Sequence, residues 1–333
     1  MATIEFKEVF NYDPKSRDKK QNEAFRKERT SHSKEYREIG SFATGVSYYK
    51  YFPIETAIKC LENETMAFVE PSRWNDAYES LYYEADYSEV STNYKDHPRV
   101  FATCATNQKY DEPAWRIYSG EDNICVQFEL DRFQLRYAIL KSLKDNDSIY
   151  EGTVQYASKY IIESIGQRTR TNPKTGVVTN NKFYDEFIAH KGKPFCVNNY
   201  LNLLLLKRKD FEHEQETRFF IVQKQDIDNK PGKAKESKVE ISDASKRQIV
   251  VNRGEVVILK GISWIDILKG ITINADSGSL PYKELKKAVD LLIDRKITDA
   301  ALNDEYKKKL TPIPYLVYGT KPPIIKIEKK GVF

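Results

Sequence analysis

The stretch FEHEQETRFFIV, residues 211–222, carries charged side chains at alternate positions and then turns apolar. Its alternating charged residues are Glu212, Glu214, Glu216 and Arg218. Side chains of a strand point to opposite faces in turn, so this spacing predicts a strand with all of these groups on one face. One interpretation is a catalytic carboxylate pair. The other is a solvated sheet face, on which Glu216 pairs with Arg218 and adds less than about 1 kcal/mol to stability.

The composition is that of a globular protein. The chain has 333 residues, of which 40% are hydrophobic and 31% charged, and this size suits one large domain or two ordinary ones. Its 54 basic and 49 acidic residues give a net charge of +5, which permits transient contact with a polyanion without requiring it. The 22 tyrosines are typical either of many half-buried positions or of a surface that stacks on bases and nucleotides.

The cysteines and histidines favour neither a disulfide framework nor a zinc site. The four cysteines are widely separated and form no CxxC pair, which is typical of reduced thiols in a cytosolic protein. His213 and Glu214 begin an incomplete HExxH pattern, because Thr217 stands where the second histidine would be. The opening MATIEFKEVF has no charged leader with an apolar core, and no run approaches a membrane-spanning length. We therefore expect a cytoplasmic protein that binds no metal and does not contact a membrane.

Strands and helices mix along the chain without regular βαβ alternation. This pattern predicts an α+β fold with mixed, mostly antiparallel central sheets and flanking helices. Residues 1–44 form a polar N-terminal extension and residues 45–275 a catalytic-like α+β domain with a polar insertion at about 165–193. Residues 276–333 are expected to add a C-terminal helix and strand packed on the same domain.

The spacing of apolar residues also predicts individual elements. Helices are predicted over 55–65, 131–144, 195–211 and 281–296, with a short helix over 111–120. Strands or β-rich runs are predicted over 45–52, 66–71, 99–106, 122–130, 250–260 and 264–274.

Five short motifs occur in an order found in one bacterial family. They are Tyr48–Tyr51, then Trp74, Asn75 and Asp76, then Ala102–Cys104, then Trp115 and Tyr118, and finally Glu214, Glu216 and Arg218. Over about residues 46–275 they resemble the bacterial domain-of-unknown-function family 2971. Its members carry Tyr-Arg-Tyr, Phe-Asn-Asp-Pro-Phe-Glu, Cys-Phe-Ser, Met-Trp-x-x-Tyr and Glu-x-Glu-x-Arg. The chain departs from this pattern at Lys50 for Arg, at Ala77 for Pro and at Thr106 near the usual Ser.

The same layout is loosely similar to the ADP-ribosyltransferase superfamily. The resemblance implies an ADP-ribosyltransferase-like split-sheet core and NAD as the substrate that donates ADP-ribose. It also implies that Glu216 is the catalytic carboxylate and Glu214 its neighbour, which orients the substrate or serves as a general base toward the acceptor. A fixed carboxylate suits this chemistry because cleavage of the nicotinamide–ribose bond passes through an oxocarbenium-like centre.

Further residues are implied in binding, and each also has a structural interpretation. Lys50 would meet the cofactor diphosphate or be an exposed edge-strand lysine, and Trp115 and Tyr118 would face a ring or pack in the core. Asn75 and Asp76 would bind ribose hydroxyls or form an Asx turn. Arg168 and Arg170 would grip the phosphates of an acceptor or lie in a solvated loop. The full cofactor-binding set is Tyr49, Lys50, Tyr51, Asn75, Asp76, Trp115, Tyr118 and Arg218.

The resemblance implies an enzyme that transfers ADP-ribose to a macromolecule, with RNA or DNA favoured over protein as acceptor. Activities of this kind typically serve as toxins of toxin–antitoxin modules or as phage-defence effectors. A neutralising antitoxin or a chaperone is therefore an expected partner.

Two alternatives remain open at the level of sequence. A metal-dependent nuclease would use the carboxylates of Glu212, Glu214 and Glu216, or that of Asp210, with Lys207 or Lys209 assisting. A non-catalytic interaction protein would use none of these groups for chemistry. The acceptor and the oligomeric state are not encoded in any motif.

Overall fold

The computed structural model describes residues 35–39, 47–74, 76–80, 82–83, 99–109, 112–119, 124–143, 147–165, 169–172, 174–180, 197–223, 247–250 and 256–315. The chain is α+β, with mixed, mostly antiparallel sheets flanked by helices, and this confirms the predicted fold class. Among the described residues, no helix combines the length and the apolar character that crossing a membrane requires. Most of the predicted N-terminal extension lies outside the described residues.

The chain divides into two compact units, each made of separate stretches of sequence. Unit 1 comprises the described residues of 1–46, 65–107 and 132–262, and unit 2 those of 47–64, 108–131 and 263–333.

Unit 1 is built on a mixed sheet and carries two smaller ribbons. Its strands are β1 (Glu35–Ile39), β3 (Thr65–Val69), β4 (Arg99–Thr106), β6 (Asp147–Thr153), β7 (Gln155–Ala157), β8 (Thr169–Thr171), β9 (Val178–Asn180), β10 (Leu206–Arg208), β11 (Glu216–Gln223), β12 (Arg247–Val250) and β13 (Val256–Lys260). Its α-helices are α2 (Ala77–Ser80), α4 (Arg132–Ser142), α5 (Lys159–Ser164) and α6 (Val197–Leu203), with 3-10 helices at Pro71–Arg73 and Lys209–Glu214.

The main sheet of unit 1 has the order β1-β6-β11-β4-β3-β13-β12. The β1–β6 pair is parallel, and the other pairs are antiparallel. The parallel pair β10–β7 and the antiparallel hairpin β8–β9 stand apart from it. This hairpin lies within the stretch 165–193 that was predicted as a polar insertion.

The strand β11 lies between β4 and β6 in the sheet and is buried along nearly its whole length. Its residues from Glu216 to Val222 are all buried. Burial does not alternate along the strand, so both of its faces are covered and its charged and apolar positions lie equally inside. The predicted strand is therefore confirmed for this part, and the alternative of a solvated face is wrong for Glu216 and Arg218.

The segment before β11 corrects two predictions. A strand was expected from Glu212 onward, but Lys209–Glu214 forms a 3-10 helix and β11 begins only at Glu216. A helix was expected over 195–211, but the helix ends at Leu203 and Leu206 begins a strand. The reason is burial, because the leucines at 203–206 are all enclosed in the core and a uniformly buried run has no helical period to read.

Unit 2 contains a smaller mixed sheet with helices packed on it. Its strands are β2 (Ser47–Pro53), β5 (Cys125–Asp131), β14 (Leu268–Ile273) and β15 (Ile313–Pro314), in that order across the sheet. Its helices are α1 (Ile54–Asn63), α3 (Glu112–Ile117), α7 (Trp264–Ile267), α8 (Leu280–Lys296) and α9 (Ala300–Leu310). The first two strand pairs are antiparallel and the β14–β15 pair is parallel.

Helix α8 confirms the helix predicted over 281–296. Its first turn carries Pro281, and the side chain of Ser279 accepts a hydrogen bond from the backbone N–H of Tyr282, which satisfies a free donor at the helix start. The run over 264–274 was predicted as β-rich throughout, but Trp264–Ile267 forms a short helix and only Leu268–Ile273 is a strand. The ring of Trp264 packs against that of Phe128 in the core of this unit.

Candidate functional site

Unit 1 gathers five charged side chains into one buried group, which we call the charge cluster. Its members are Glu79 of α2, Lys207 of β10, Glu214 at the end of the 3-10 helix, and Glu216 and Arg218 of β11. Four short elements thus each contribute at least one charged group to the same place.

Gln215 makes the turn that joins the 3-10 helix to β11. Its φ of 43° and ψ of 51° lie in the left-handed region, which a residue other than glycine seldom adopts. Its side-chain amide donates to the backbone oxygen of Glu212 at 2.7 Å and holds the turn. Glu214 therefore reaches Glu216 through a turn and not along one face of a strand. Glu212 is exposed, and its backbone oxygen binds Gln215, while its carboxylate forms no ion pair with the described members of the cluster.

Both carboxylate oxygens of Glu216 are engaged. Oε1 accepts from Nε of Arg218 at 3.0 Å, and Oε2 accepts from Nη2 of Arg218 at 3.2 Å and from Nζ of Lys207 at 3.1 Å. Only 6% of the residue is exposed. The carboxylate is consequently fixed in position and orientation.

Arg218 is completely buried and spreads its donors over several acceptors. Besides Glu216 it donates to a carboxylate oxygen of Glu79, and Nη1 donates to the backbone oxygen of Leu204 at 2.6 Å. The ring of Trp74 covers its guanidinium group, with 4.2 Å from Cζ to the ring centroid. Such an environment suits arginine, whose planar group stacks on aromatic rings while it donates at its edge.

Glu214 differs from the other two carboxylates of the cluster. Its Oε2 accepts from Nζ of Lys207 at 2.6 Å, whereas Oε1 has no hydrogen-bond partner among the residues that the structure describes. Its side chain is 17% exposed, against 8% for Glu216 and 10% for Glu79. Glu214 is thus the carboxylate that is best placed to meet a ligand.

The surroundings of Glu214 and Glu216 move the pKa values of these two carboxylates in opposite directions. Burial raises the pKa of Glu216, but the charges of Arg218 and Lys207 outweigh burial and lower this pKa to about 2. Burial raises the pKa of Glu214 as well, and there the attraction of Lys207 does not cancel the effect, so this pKa stays above its ordinary value. Two carboxylates with pKa values moved in opposite directions are the usual mark of divided acid–base roles.

The cations of the cluster stay charged. Burial alone would lower the pKa of Arg218, but Glu216 and Glu79 raise it above its ordinary value. Tyr156 closes one side of the cluster, where its hydroxyl accepts from the backbone N–H of Glu216 at 2.9 Å. Burial raises the pKa of this hydroxyl, so it stays protonated.

Burying these five charged groups costs free energy, because each of them loses its hydration. Three carboxylates face two cations, so one negative charge is in excess when all are ionised. Replacing buried ions by apolar side chains is often neutral or stabilising, so such clusters are poor devices for stability alone. Strongly perturbed carboxylates beside fixed cations are instead what catalytic sites use.

Other residues predicted for a site in unit 1 lie at different places. Asp76 is bound to its own turn and to a neighbour, because Oδ1 accepts from the backbone N–H of Tyr78 at 2.9 Å and Oδ2 lies 3.0 Å from Nη2 of Arg208. Asn75 and Arg168 lie outside the described residues. Arg170 belongs to strand β8, and only its backbone is described.

The remaining predicted residues belong to unit 2. Tyr51 is buried, and its ring stands nearly perpendicular to that of Trp115 with 5.2 Å between the centroids. The ring of Tyr118 stacks on that of Tyr51 at 6.0 Å. Trp115 is 1% exposed and lies in a small core cluster, whereas Tyr118 is 41% exposed. Tyr49 and Lys50 are partly buried on β2, where Nζ of Lys50 lies 5.3 Å from the ring of Phe52.

Sequence reasoning missed Glu79 and gave Lys207 only an assisting part. The signal for Glu79 was present, since the Phe-Asn-Asp-Pro-Phe-Glu pattern carries a glutamate at the place where Glu79 stands. Lys207 gives no such signal. It is one lysine of the basic run KRK, and nothing in that run distinguishes the buried Lys207 from the exposed Lys209.

No family model, curated protein or solved structure matches the chain. The resemblance to family 2971 and to ADP-ribosyltransferases therefore receives no support from these comparisons and stays a prediction.

Proposed function

We propose that the protein is an ADP-ribosyltransferase-like enzyme that transfers ADP-ribose from NAD to a macromolecule. The observation that carries the proposal is the pair of neighbouring carboxylates with opposite environments. Glu216 is fixed and ionised, whereas Glu214 has a raised pKa and one carboxylate oxygen that no described residue binds.

Glu216 supplies the electrostatic part of the reaction. When the bond between the ribose C1′ and the nicotinamide nitrogen breaks, the pair of electrons leaves with nicotinamide and positive charge develops on the ribose. A carboxylate that is already oriented stabilises this charge without rearranging during the reaction. Arg218 and Lys207 hold Glu216 in that orientation through charge-assisted hydrogen bonds.

Glu214 supplies the proton transfer. An acceptor hydroxyl or amine that attacks C1′ must lose a proton, and a carboxylate with one open oxygen can take it. The raised pKa of Glu214 moves it toward the range in which a base is effective near neutral pH.

The arrangement favours glycosyl transfer over a metal-dependent nuclease. The Lys207 ammonium group already stands among the three carboxylates where a divalent cation would be placed. Glu212 is exposed and apart from the cluster, so it does not add a ligand. Among the described residues, no group of three or more His, Cys, Asp or Glu side chains is arranged to hold a metal ion.

We favour RNA or DNA over protein as the acceptor. The supporting observations are the net charge of +5, the 22 tyrosines and the arginines of the polar insertion. An enzyme that modifies nucleic acid in this way would act as a toxin or a phage-defence effector, with an antitoxin or a chaperone as its neutralising partner.

The test is a transfer assay with NAD that is labelled in its adenylate part. The purified protein is incubated with labelled NAD and with separate pools of RNA, DNA and lysate protein. We expect label in a nucleic-acid pool together with release of nicotinamide, with no dependence on added magnesium. Unchanged NAD and no label in any pool would overturn the proposal, and magnesium-dependent cleavage of nucleic acid without NAD would replace it by the nuclease.

A further inference from the structure

Lys207 contacts all of the carboxylates in the charge cluster. Its Nζ lies 3.1 Å from Oε1 of Glu79, 2.6 Å from Oε2 of Glu214 and 3.1 Å from Oε2 of Glu216. The ring of Phe211 lies 4.9 Å from the same nitrogen. An ammonium group has three donors, and here each of them has a carboxylate to meet.

This geometry excludes some roles for Lys207 and leaves one. Burial acts to lower the pKa of Lys207, but Glu216, Glu79 and Glu214 together raise it above its ordinary value. A lysine that remains protonated is neither a nucleophile nor a general base. Its remaining role is that of a fixed cation, and Glu214 is its nearest neighbour.

We propose that Lys207 is a positioning residue, which binds Oε2 of Glu214 and thereby presents Oε1 to the acceptor as the oxygen that takes the proton. This inference rests on the proposed transfer reaction. In that reaction the acceptor atom forms a bond to the ribose C1′ while its proton moves to Oε1 of Glu214. The bond between C1′ and nicotinamide breaks, and nicotinamide leaves with the electron pair.

Lys207 also sets the pH at which Glu214 can act. Among the described residues, the other ionisable groups that act on Glu214 are Glu79 from α2, Glu216 from β11 and Tyr156 from β7, and Glu216 is itself paired with Arg218. Glu79 and Glu216 both disfavour the ionised form of Glu214, and Lys207 opposes them. Without Lys207, Glu214 should lose its proton only at a higher pH.

The experiment compares Lys207→Met, which keeps the length of the side chain and removes the charge, with Lys207→Arg, which keeps the charge. The rate of transfer is measured against pH in both variants and in the wild type. We expect Lys207→Met to lower kcat about 10²-fold without changing KM for NAD, and to move the rising limb of the profile to higher pH. Lys207→Arg should restore the position of the limb. A limb that does not move in Lys207→Met would overturn the role of Lys207.

A second readout separates this inference from the proposed function. The carboxyl C=O stretch of protonated Glu214 is followed by infrared titration, with Glu214→Gln identifying the band. We expect this band to persist to higher pH in Lys207→Met than in the wild type, and an identical titration would overturn the inference. A wild-type protein that transfers nothing from NAD would overturn the proposed function instead, and the infrared titration would still decide whether Lys207 controls Glu214.

Lys207→Met removes the partner of three buried carboxylates, so it could fail to fold. The double variant with Glu79→Gln then takes its place, because it deletes one positive and one negative charge. Lys207 acts on Glu214 more strongly than Glu79 does, so the shift to higher pH is still expected. A double variant that folds and shows no shift would overturn the inference.

Discussion

Arg218 shows what a buried charge needs from its surroundings. No part of it is exposed, and its guanidinium group reaches Glu216, Glu79 and the backbone oxygen of Leu204. The face of the group lies against the ring of Trp74. Removing one partner from such a set leaves the others as uncompensated charges in a low-dielectric interior.

We therefore expect Arg218→Met to lower the free energy of unfolding by about 3–5 kcal/mol, as is usual when one partner of a buried ion pair is deleted. The measurement is the urea denaturation midpoint by circular dichroism. Arg73→Met is the matched control, because Arg73 is exposed, and it should change stability by no more than about 0.5 kcal/mol. Equal effects of the two substitutions would contradict the buried cluster.

The pH dependence of stability should distinguish the two neighbouring glutamates. The pKa of Glu216 falls from 4.5 to about 2 on folding, so its stabilising contribution is present above pH 4.5 and is lost as the pH falls toward 2. The pKa of Glu214 is raised on folding, so its contribution has the opposite sign and weakens stability as the pH rises above 4.5.

The prediction is that Glu216→Gln flattens the loss of stability between pH 4.5 and 2, while Glu214→Gln makes the protein relatively more stable above pH 4.5. Denaturation midpoints measured from pH 2 up to neutral pH cover both windows and report both effects. If the curves of stability against pH were parallel for the wild type and Glu216→Gln, then Arg218 and Lys207 would not lower the pKa of Glu216.

For single residues, the sequence predicted which side chains belong to the charge cluster better than it predicted their burial and their partners. The Glu-x-Glu-x-Arg spacing located Glu214, Glu216 and Arg218, and all of them lie in the charge cluster. Periodicity could not tell an exposed charged face from a buried one, because both have charges at alternate positions. The partners of this motif lie on other elements. Glu79 is far from it along the chain, and Lys207 is close along the chain but is separated from β11 by the 3-10 helix and the turn.

At the scale of elements, the turn at Gln215 determines how the two glutamates meet. The 3-10 helix ends at Glu214 and β11 begins at Glu216, so one residue in a left-handed conformation accomplishes the change of direction. The hydroxyl of Thr106 on β4 donates to the backbone oxygen of Glu214 at 2.5 Å and ties the end of the helix to the sheet.

Gln215→Val should be more damaging than Gln215→Asn. A β-branched residue is strained where φ is positive, whereas asparagine tolerates this region, so we expect a loss of about 1–3 kcal/mol for valine and a much smaller change for asparagine. Because the turn sets the position of Glu214, valine should also lower the transfer rate, although no charge is altered. Thermal denaturation and the transfer assay together test this, and equal behaviour of the two variants would argue against a strained turn.

Helices with a clear apolar period could be predicted, whereas the buried leucine run at 203–206 could not be divided into its elements. Helix α8 has buried Tyr282, Leu285 and Leu292 on one face, and its boundaries agree with the prediction within one residue. The leucines at 203–206 offer no such contrast, and the sequence there was assigned to one long helix instead of a helix, a strand and a 3-10 helix. The turn at Gln215 also lacked a signal, since neither glycine nor asparagine marks it.

At the scale of the whole molecule, the charge balance bears on the acceptor. A net charge of +5 permits association with a polyanion, and each basic side chain that contacts a phosphate would release counterions. We expect transfer to a long polynucleotide to fall much more than transfer to a dinucleotide acceptor when the salt concentration rises from about 50 to about 200 mM. The two rates are measured in parallel over that range. An equal decline for both acceptors would count against recognition of the phosphate backbone.

The central claim is that Glu216 stabilises positive charge on the ribose of a bound dinucleotide. Its most direct test is the rate of label transfer from NAD in Glu216→Gln and in Glu212→Gln, both confirmed as folded by circular dichroism. Both substitutions replace a glutamate by glutamine two residues away from Glu214. Glu216 lies in the charge cluster, whereas Glu212 is exposed. We expect Glu216→Gln to lower the rate by about 10²–10³-fold and Glu212→Gln to leave it unchanged. A folded Glu216→Gln that transfers label at the wild-type rate would contradict the account.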